Sequence, residues 1–207
     1  MIFETSPQLA TFSQAEWRAH VAAIRSLLFA HQQGWHIFAP RRSVLQSLLQ
    51  SGVLDSAEAG FLRDVIGTRL PTVLGQARSA SHTILCTTGA NDATVPEARH
   101  CPVPLAQFAN GRNVQPARLL VEDRYTDGAF LSEVFSAVAS ELGIHWPLEL
   151  DILHGGGGGV EKQYRDALSE VRPLLCVLDS DRSHRNDRLG DTARSVAKNP
   201  DSNSCGT

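Results

Sequence analysis

The chain has no stretch of 18 or more apolar residues, so no segment is long and greasy enough for a membrane-spanning helix. Its opening residues, MIFETSPQLATF, contain no basic segment followed by an apolar one, and no secretory signal is read there. There is no C-x-x-C pair. The four cysteines (Cys86, Cys101, Cys176 and Cys205) lie far apart, which argues against a zinc site or a disulfide framework and for ordinary thiols in a reducing cytoplasm. Basic charge is not in excess either. The formal net charge of −3 excludes a pure nucleic-acid-binding module, which would be basic throughout. Two catalytic signatures are missing as well: no G-x-S-x-G nucleophile elbow and no Walker A loop with its Gly-Lys-Ser/Thr.

What is present is enough apolar content, 42% of 207 residues, to build one medium domain or a small domain with a helical appendage. The charge is unevenly spread. Residues 1–117 carry nine arginines against seven acids, residues 118–181 five bases against twelve acids, and residues 182–207 five bases against three acids. A solvated helix face accounts for Glu133, Glu141, Asp166 and Glu170. It does not account for acids that fall at the ends of apolar runs, where carboxylates gathered around a cation are the alternative.

The N-terminal part reads as mainly helical. Ser13 and Glu16 form an S-x-x-E capping box ahead of Trp17, Val21, Ile24, Leu28 and His31 at helical spacing, with Gly34 as the stop. A second helix is expected over 43–51, closed by Gly52. A third opens at Asp55 and Glu58 and is broken by Gly67 and Pro71. His31 and His36 fit packed or surface positions better than ligand positions. Residues 83–87 (TILCT) read as a strand, and 88–116, rich in Pro, Asn and Gly, as an irregular connection.

From Arg118 the pattern alternates. Strands are expected at 119–121, 148–153 and 174–178, and helices at 127–142 and 160–171, the first burying Phe130, Leu131, Val134, Val138 and Leu142. Strand–helix–strand–helix–strand with such connections implies a parallel sheet with right-handed crossovers. The expected organisation is therefore α/β: a helical region 1–80, a strand and irregular connection 81–117, a βαβαβ Rossmann-like domain 118–198, and a disordered tail 199–207.

A parallel sheet gathers the carboxyl ends of its strands along one edge, where ligands bind. Glu122, the loop of Gly155, Gly156, Gly157, Gly158 and Gly159, and the pair Asp179/Asp181 each follow a strand. Asp179 and Asp181 are two apart and share a side if the extended geometry persists, so a hard divalent cation would offset their repulsion; the plainer reading is that they cap a turn. The five glycines join a strand to a helix N-terminus, where bare backbone can approach a phosphate; by composition alone they would suit a flexible linker.

Leu-Leu-Val-Glu122 followed by Thr126-Asp127, and Leu-Asp179-Ser-Asp181-Arg182, resemble the two acidic motifs of the TOPRIM domain, the metal-binding module of topoisomerases, primases and OLD-type nucleases. The likeness covers about residues 118–182 and is nearest to bacterial OLD-like, defence-associated forms. Asp123 stands where the family usually has glycine. The family continues past its D-x-D motif with a helix and another strand, whereas here only 189–198 has helical character, so on that pattern the domain is C-terminally incomplete.

The resemblance implies magnesium- or manganese-dependent cleavage of nucleic-acid phosphodiesters, with DNA the expected partner. Asp179 and Asp181 would hold metal, Glu122 would complete the shell or act as general acid/base, and Asp127 would support a second metal. The glycine loop, Lys162 and Arg182 would contact the phosphate backbone. Tyr164 falls on its helix's apolar face and Tyr125 beside Glu122, so neither suits a topoisomerase nucleophile. The alternative is a non-catalytic TOPRIM protein acting as a nucleic-acid-binding or regulatory subunit, with a protein partner or a second copy bound through the N-terminal helices.

Overall fold

A computed structural model describes residues 1–89, 92, 97–141, 149–156, 159–169, 172–179 and 187–198. The chain divides into two compact units, 1–115 and 116–207. Each is built on its own parallel sheet.

The first unit differs from the helical region expected. Helix does predominate before residue 80, but two short strands, β1 (Ile2–Thr5) and β2 (Ile37–Ala39), organise it. With β3 (Thr83–Thr87) and β4 (His100–Pro104) they form a four-stranded sheet in the order β2-β1-β3-β4, every pair parallel. Strands of three and four residues are too short to show a period, which is why only β3 was legible. β4 carries Pro102 and Pro104 and lies in the stretch expected to be irregular. It is an edge strand, and residues two apart turn their nitrogens the same way, so both prolines can face the unpaired side.

The helices follow their caps. The Ser13–Glu16 capping box forms as read and opens α1 (Gln14–Ala19), but the helix breaks at His20 before α2 (Val21–Gln32). α3 (Arg42–Ser51) ends at Gly52, whose φ of 67° is the left-handed stop that glycine supplies without strain. Asp55 and Glu58 form a second capping box for α4 (Ser56–Phe61). Here the chain does not stop at Gly67 and Pro71. A π-helical segment (Leu62–Gly67) leads without a break into α5 (Thr68–Ser79), which carries Pro71 inside it. Phe3, Trp17, Leu27, Phe38, Leu48, Leu62 and Phe108 form the centre of this unit's core. The Trp17 indole N–H donates to Ser47 Oγ at 3.0 Å, so its one polar atom is satisfied.

The second unit matches the alternation expected. β5 (Ala117–Val121), β6 (Leu150–His154) and β7 (Leu174–Cys176) form a three-stranded parallel sheet in the order β6-β5-β7. α6 (Asp127–Glu141) and α7 (Val160–Leu168) connect them, and α8 (Asp191–Ala197) follows. The central strand is the most buried, with Leu119, Leu120 and Val121 at 0% exposure.

One expected core face is corrected. Phe130, Val134 and Val138 are exposed, at 67%, 37% and 45%, and α6 instead buries Gly128 and Ala139. The reason is steric: a Cβ at Gly128 would lie 2.8 Å from Ile152 Cγ2, so the helix seats its smallest residue on β6. No described helix is long and apolar enough to cross a membrane.

Candidate functional site

Glu122 follows directly on β5, the central strand, and Gly155 follows β6 beside it. The register sets Val121 opposite His154, and two hydrogen bonds carry the pairing past the strand ends: Gly155 N–H to the Val121 carbonyl at 2.8 Å and Gly156 N–H to the Glu122 carbonyl at 3.2 Å. The start of the glycine loop is therefore seated on the end of β5 rather than hanging free as a linker. A Cβ on Gly155 would lie 2.4 Å from Val160 Cγ2 and 3.0 Å from the Val121 carbonyl oxygen, so this glycine answers a close approach of chain to chain. Gly156 has a φ of 56°. Gly159 caps α7 with open space at its Cβ position and no side-chain cap, while Gly157 and Gly158 lie outside the described residues.

The Glu122 side chain is half-buried. Its Oε1 atom is closed off from solvent and has no hydrogen-bond partner among the described residues. On the other flank of β5, Cys176 pairs in register with Leu120, and the Cys176 thiol is pushed up to about 11 by burial and by the Glu122 charge. The thiol is thus neutral at ordinary pH, and the carboxylate sits close enough for its field to be felt there.

Asp123, where the TOPRIM family usually has glycine, builds the turn. Its Oδ1 accepts from Tyr125 N–H at 2.7 Å and from Thr126 N–H at 3.4 Å. Asp127 answers it: its Oδ2 accepts from Asp123 N–H at 3.1 Å, and its own N–H bonds the Asp123 carbonyl. Asp127 is exposed, and its carboxylate is engaged in closing the first turn of α6.

Asp179 is exposed and follows β7; the Val177 N–H to Leu120 carbonyl bond, 2.9 Å, extends the pairing toward it. Asp181 and Arg182 lie outside the described residues. Lys162 is exposed on α7, where the neighbouring Glu161 and Arg165 pair with each other. Among the described residues no group of three or more His, Cys, Asp or Glu stands ready to hold a metal.

Two residues at this edge were not singled out as site residues by sequence. His154 ends β6 with an exposed ring whose Nδ1 accepts from Arg124 N–H at 3.3 Å. Arg124 lies over the exposed Tyr125 ring at 5.7 Å, setting a cation and an aromatic face just past Glu122. The sequence signal for His154 was its place between an apolar run and the five glycines. Elsewhere, burial pushes the Cys86 thiol up, as befits a core cysteine.

Comparison with known proteins finds no matching family model, no similar curated protein and no similar solved structure.

Proposed function

We propose that the edge around Glu122 is a divalent-metal site for cleaving nucleic-acid phosphodiesters, DNA in the first instance, in the manner of a TOPRIM nuclease. The observation that carries the reading is the Oε1 atom of Glu122, closed off from water with no donor among the described residues. A carboxylate oxygen in that position lacks the partner buried polar atoms normally have, and a hard cation supplies one. The parallel order β6-β5-β7 supports it further, since Glu122, the His154–Gly155 corner and Asp179 follow three neighbouring strands at their carboxyl ends.

On this reading Glu122 and Asp179, together with Asp181, hold magnesium or manganese, whose charge would neutralise the phosphodiester oxygens. Asp127 and Asp123 fix the turn that carries Glu122, and Lys162 and Arg182 meet the flanking phosphates. Glu122 can also take or deliver the proton of the attacking or leaving oxygen, since one carboxylate oxygen remains for that purpose.

Supercoiled plasmid incubated with the protein and magnesium or manganese tests the reading. Wild type is expected to nick it, and Glu122→Ala and Asp179→Ala to slow nicking by at least about 100-fold. Absence of cleavage together with absence of metal binding by calorimetry would favour the non-catalytic binding or regulatory subunit instead.

A further inference from the structure

The turn after β5 carries two side chains that the fold does not use. Tyr125 is 80% exposed, more than any other large apolar side chain described, and Arg124 beside it is exposed as well. The Arg124 guanidinium lies over the Tyr125 ring at 5.7 Å, and among the described residues it has no hydrogen bond or ion pair. Between Arg118 and Lys162 it is also the one basic residue of the sequence, set in a stretch rich in acids. An arginine that rests on an aromatic ring while acids stand close by in sequence is not spent on charge pairing.

The backbone beneath the pair is, by contrast, firmly held. Tyr125 N–H donates to Asp123 Oδ1 at 2.7 Å, Asp123 N–H donates to Asp127 Oδ2 at 3.1 Å, and Arg124 N–H donates to His154 Nδ1 at 3.3 Å, which fastens the turn to β6. A fixed mount under uncommitted side chains lowers the ordering cost of binding. The mount is also near Glu122: three residues of chain separate Tyr125 from it, so their Cα atoms lie at most about 11 Å apart, the span of a few nucleotides. A π-face and a planar cation carry no hydrogen-bond pattern that reads a base edge. They suit a base that is unstacked from its neighbours and the phosphate next to it.

Resting on the phosphodiester reading above, we propose that the substrate is a single strand, one of its bases stacked on the exposed ring of Tyr125 and Arg124 set against the adjoining phosphate. Paired bases inside a duplex offer no free face for such stacking; the unpaired segments that negative supercoiling opens do. With a single cation in an acidic turn, stacking rather than charge supplies most of the affinity.

The test uses the full chain and a fluorescein-labelled oligothymidylate read by anisotropy, with calcium standing in for magnesium. Tyr125→Ala should weaken binding about tenfold, and Tyr125→Trp, which keeps a π-face, should retain it. An abasic strand of the same length and charge should bind wild type as weakly as oligothymidylate binds Tyr125→Ala. Arg124→Ala should reduce the salt dependence by about one phosphate contact. Magnesium binding by calorimetry should be unchanged in Tyr125→Ala, whose side chain is in solvent. Equal affinity in Tyr125→Ala, equal affinity for the abasic strand, an unchanged salt slope in Arg124→Ala, or tighter binding of duplex than of single strand would each overturn the proposal while leaving a magnesium site at Glu122 standing. A wild-type chain that binds neither magnesium nor the oligothymidylate overturns both.

Discussion

Two ionisable residues in the first unit, one buried and one half-buried, give stability a pH dependence that can be signed in advance. Glu4 is 6% exposed; its Oε1 accepts from Thr83 Oγ1 at 2.8 Å and from Arg99 Nη1 at 2.7 Å, with His100 Nε2 at 3.4 Å. Burial pushes its carboxyl up, but the bonds from Thr83 and Arg99 and the charges of Arg99 and His100 outweigh that and hold it below the usual carboxylate range. A depressed carboxyl contributes stability that is present above its unfolded value and lost as pH falls through the lower folded one. Glu4→Gln should therefore cost about 3 kcal/mol at pH 7, because Arg99 is left half-paired, and the gap to wild type should narrow below about pH 4. Urea titrations at both pH values measure it; an equal gap at each would contradict the assignment.

His31 has the opposite chemistry and the same trend. Its Nδ1 accepts from Phe38 N–H at 3.0 Å, and burial, with the nearby Arg69 charge, pushes it down to about 4. The folded state then binds fewer protons than the unfolded chain between about 4 and the unperturbed value of 6.5. Stability is full above that window and falls as pH drops through it. The loss expected by pH 4 is about 2 kcal/mol once partial exposure is allowed for. It should vanish in a His31→Gln variant measured by the same titration. The sequence reading placed His31 as a packed or surface residue rather than a ligand; the bond from Phe38 N–H to its Nδ1 ties it to β2.

At the scale of elements, the glycine loop separates two explanations that composition leaves joined. If it were a linker, all five glycines would be interchangeable with alanine. The geometry makes them unequal: Gly155→Ala must push Val160 or the end of β5 aside, whereas Gly159→Ala meets open space. Gly155→Ala should destabilise the second unit by about 2 kcal/mol and Gly159→Ala by about 0.5 kcal/mol or less. Thermal melts of the two variants decide it. α6 teaches a related lesson. Its apolar residues were legible, but the face that packs was not, because Phe130, Val134 and Val138 compete with a stripe of smaller residues at Gly128 and Ala139. Periodicity weighs size and hydrophobicity; the sheet surface at Ile152 selected for the absence of a side chain.

At the scale of the whole molecule, the division falls between Gln115 and Pro116, close to the boundary at 117/118 read from the sequence. The core of the first unit, from Phe3 to Val114, is drawn wholly from its own residues. A polypeptide of residues 1–115 should therefore unfold cooperatively in urea, with dispersed amide signals in NMR. A non-cooperative transition would mean that its four-stranded sheet depends on the rest of the chain.

Sequence alone determined the features with a local cause. Capping boxes at Ser13 and Asp55, the stop at Gly52, strand β3 and the strand–helix alternation after Arg118 all follow from neighbours within a few residues. The same pattern placed Glu122, the glycine loop and Asp179 at strand ends. Tertiary structure decided what depends on partners far along the chain. It made a sheet of the first unit by pairing β1 with β2 and β3, put prolines on an edge, and turned Asp123 and Asp127 to the service of a turn. It also left Glu122 Oε1 without a donor among the described residues. Burial and orientation arise only when separate strands share a sheet, and no local pattern encodes which side chain the neighbouring strand will meet.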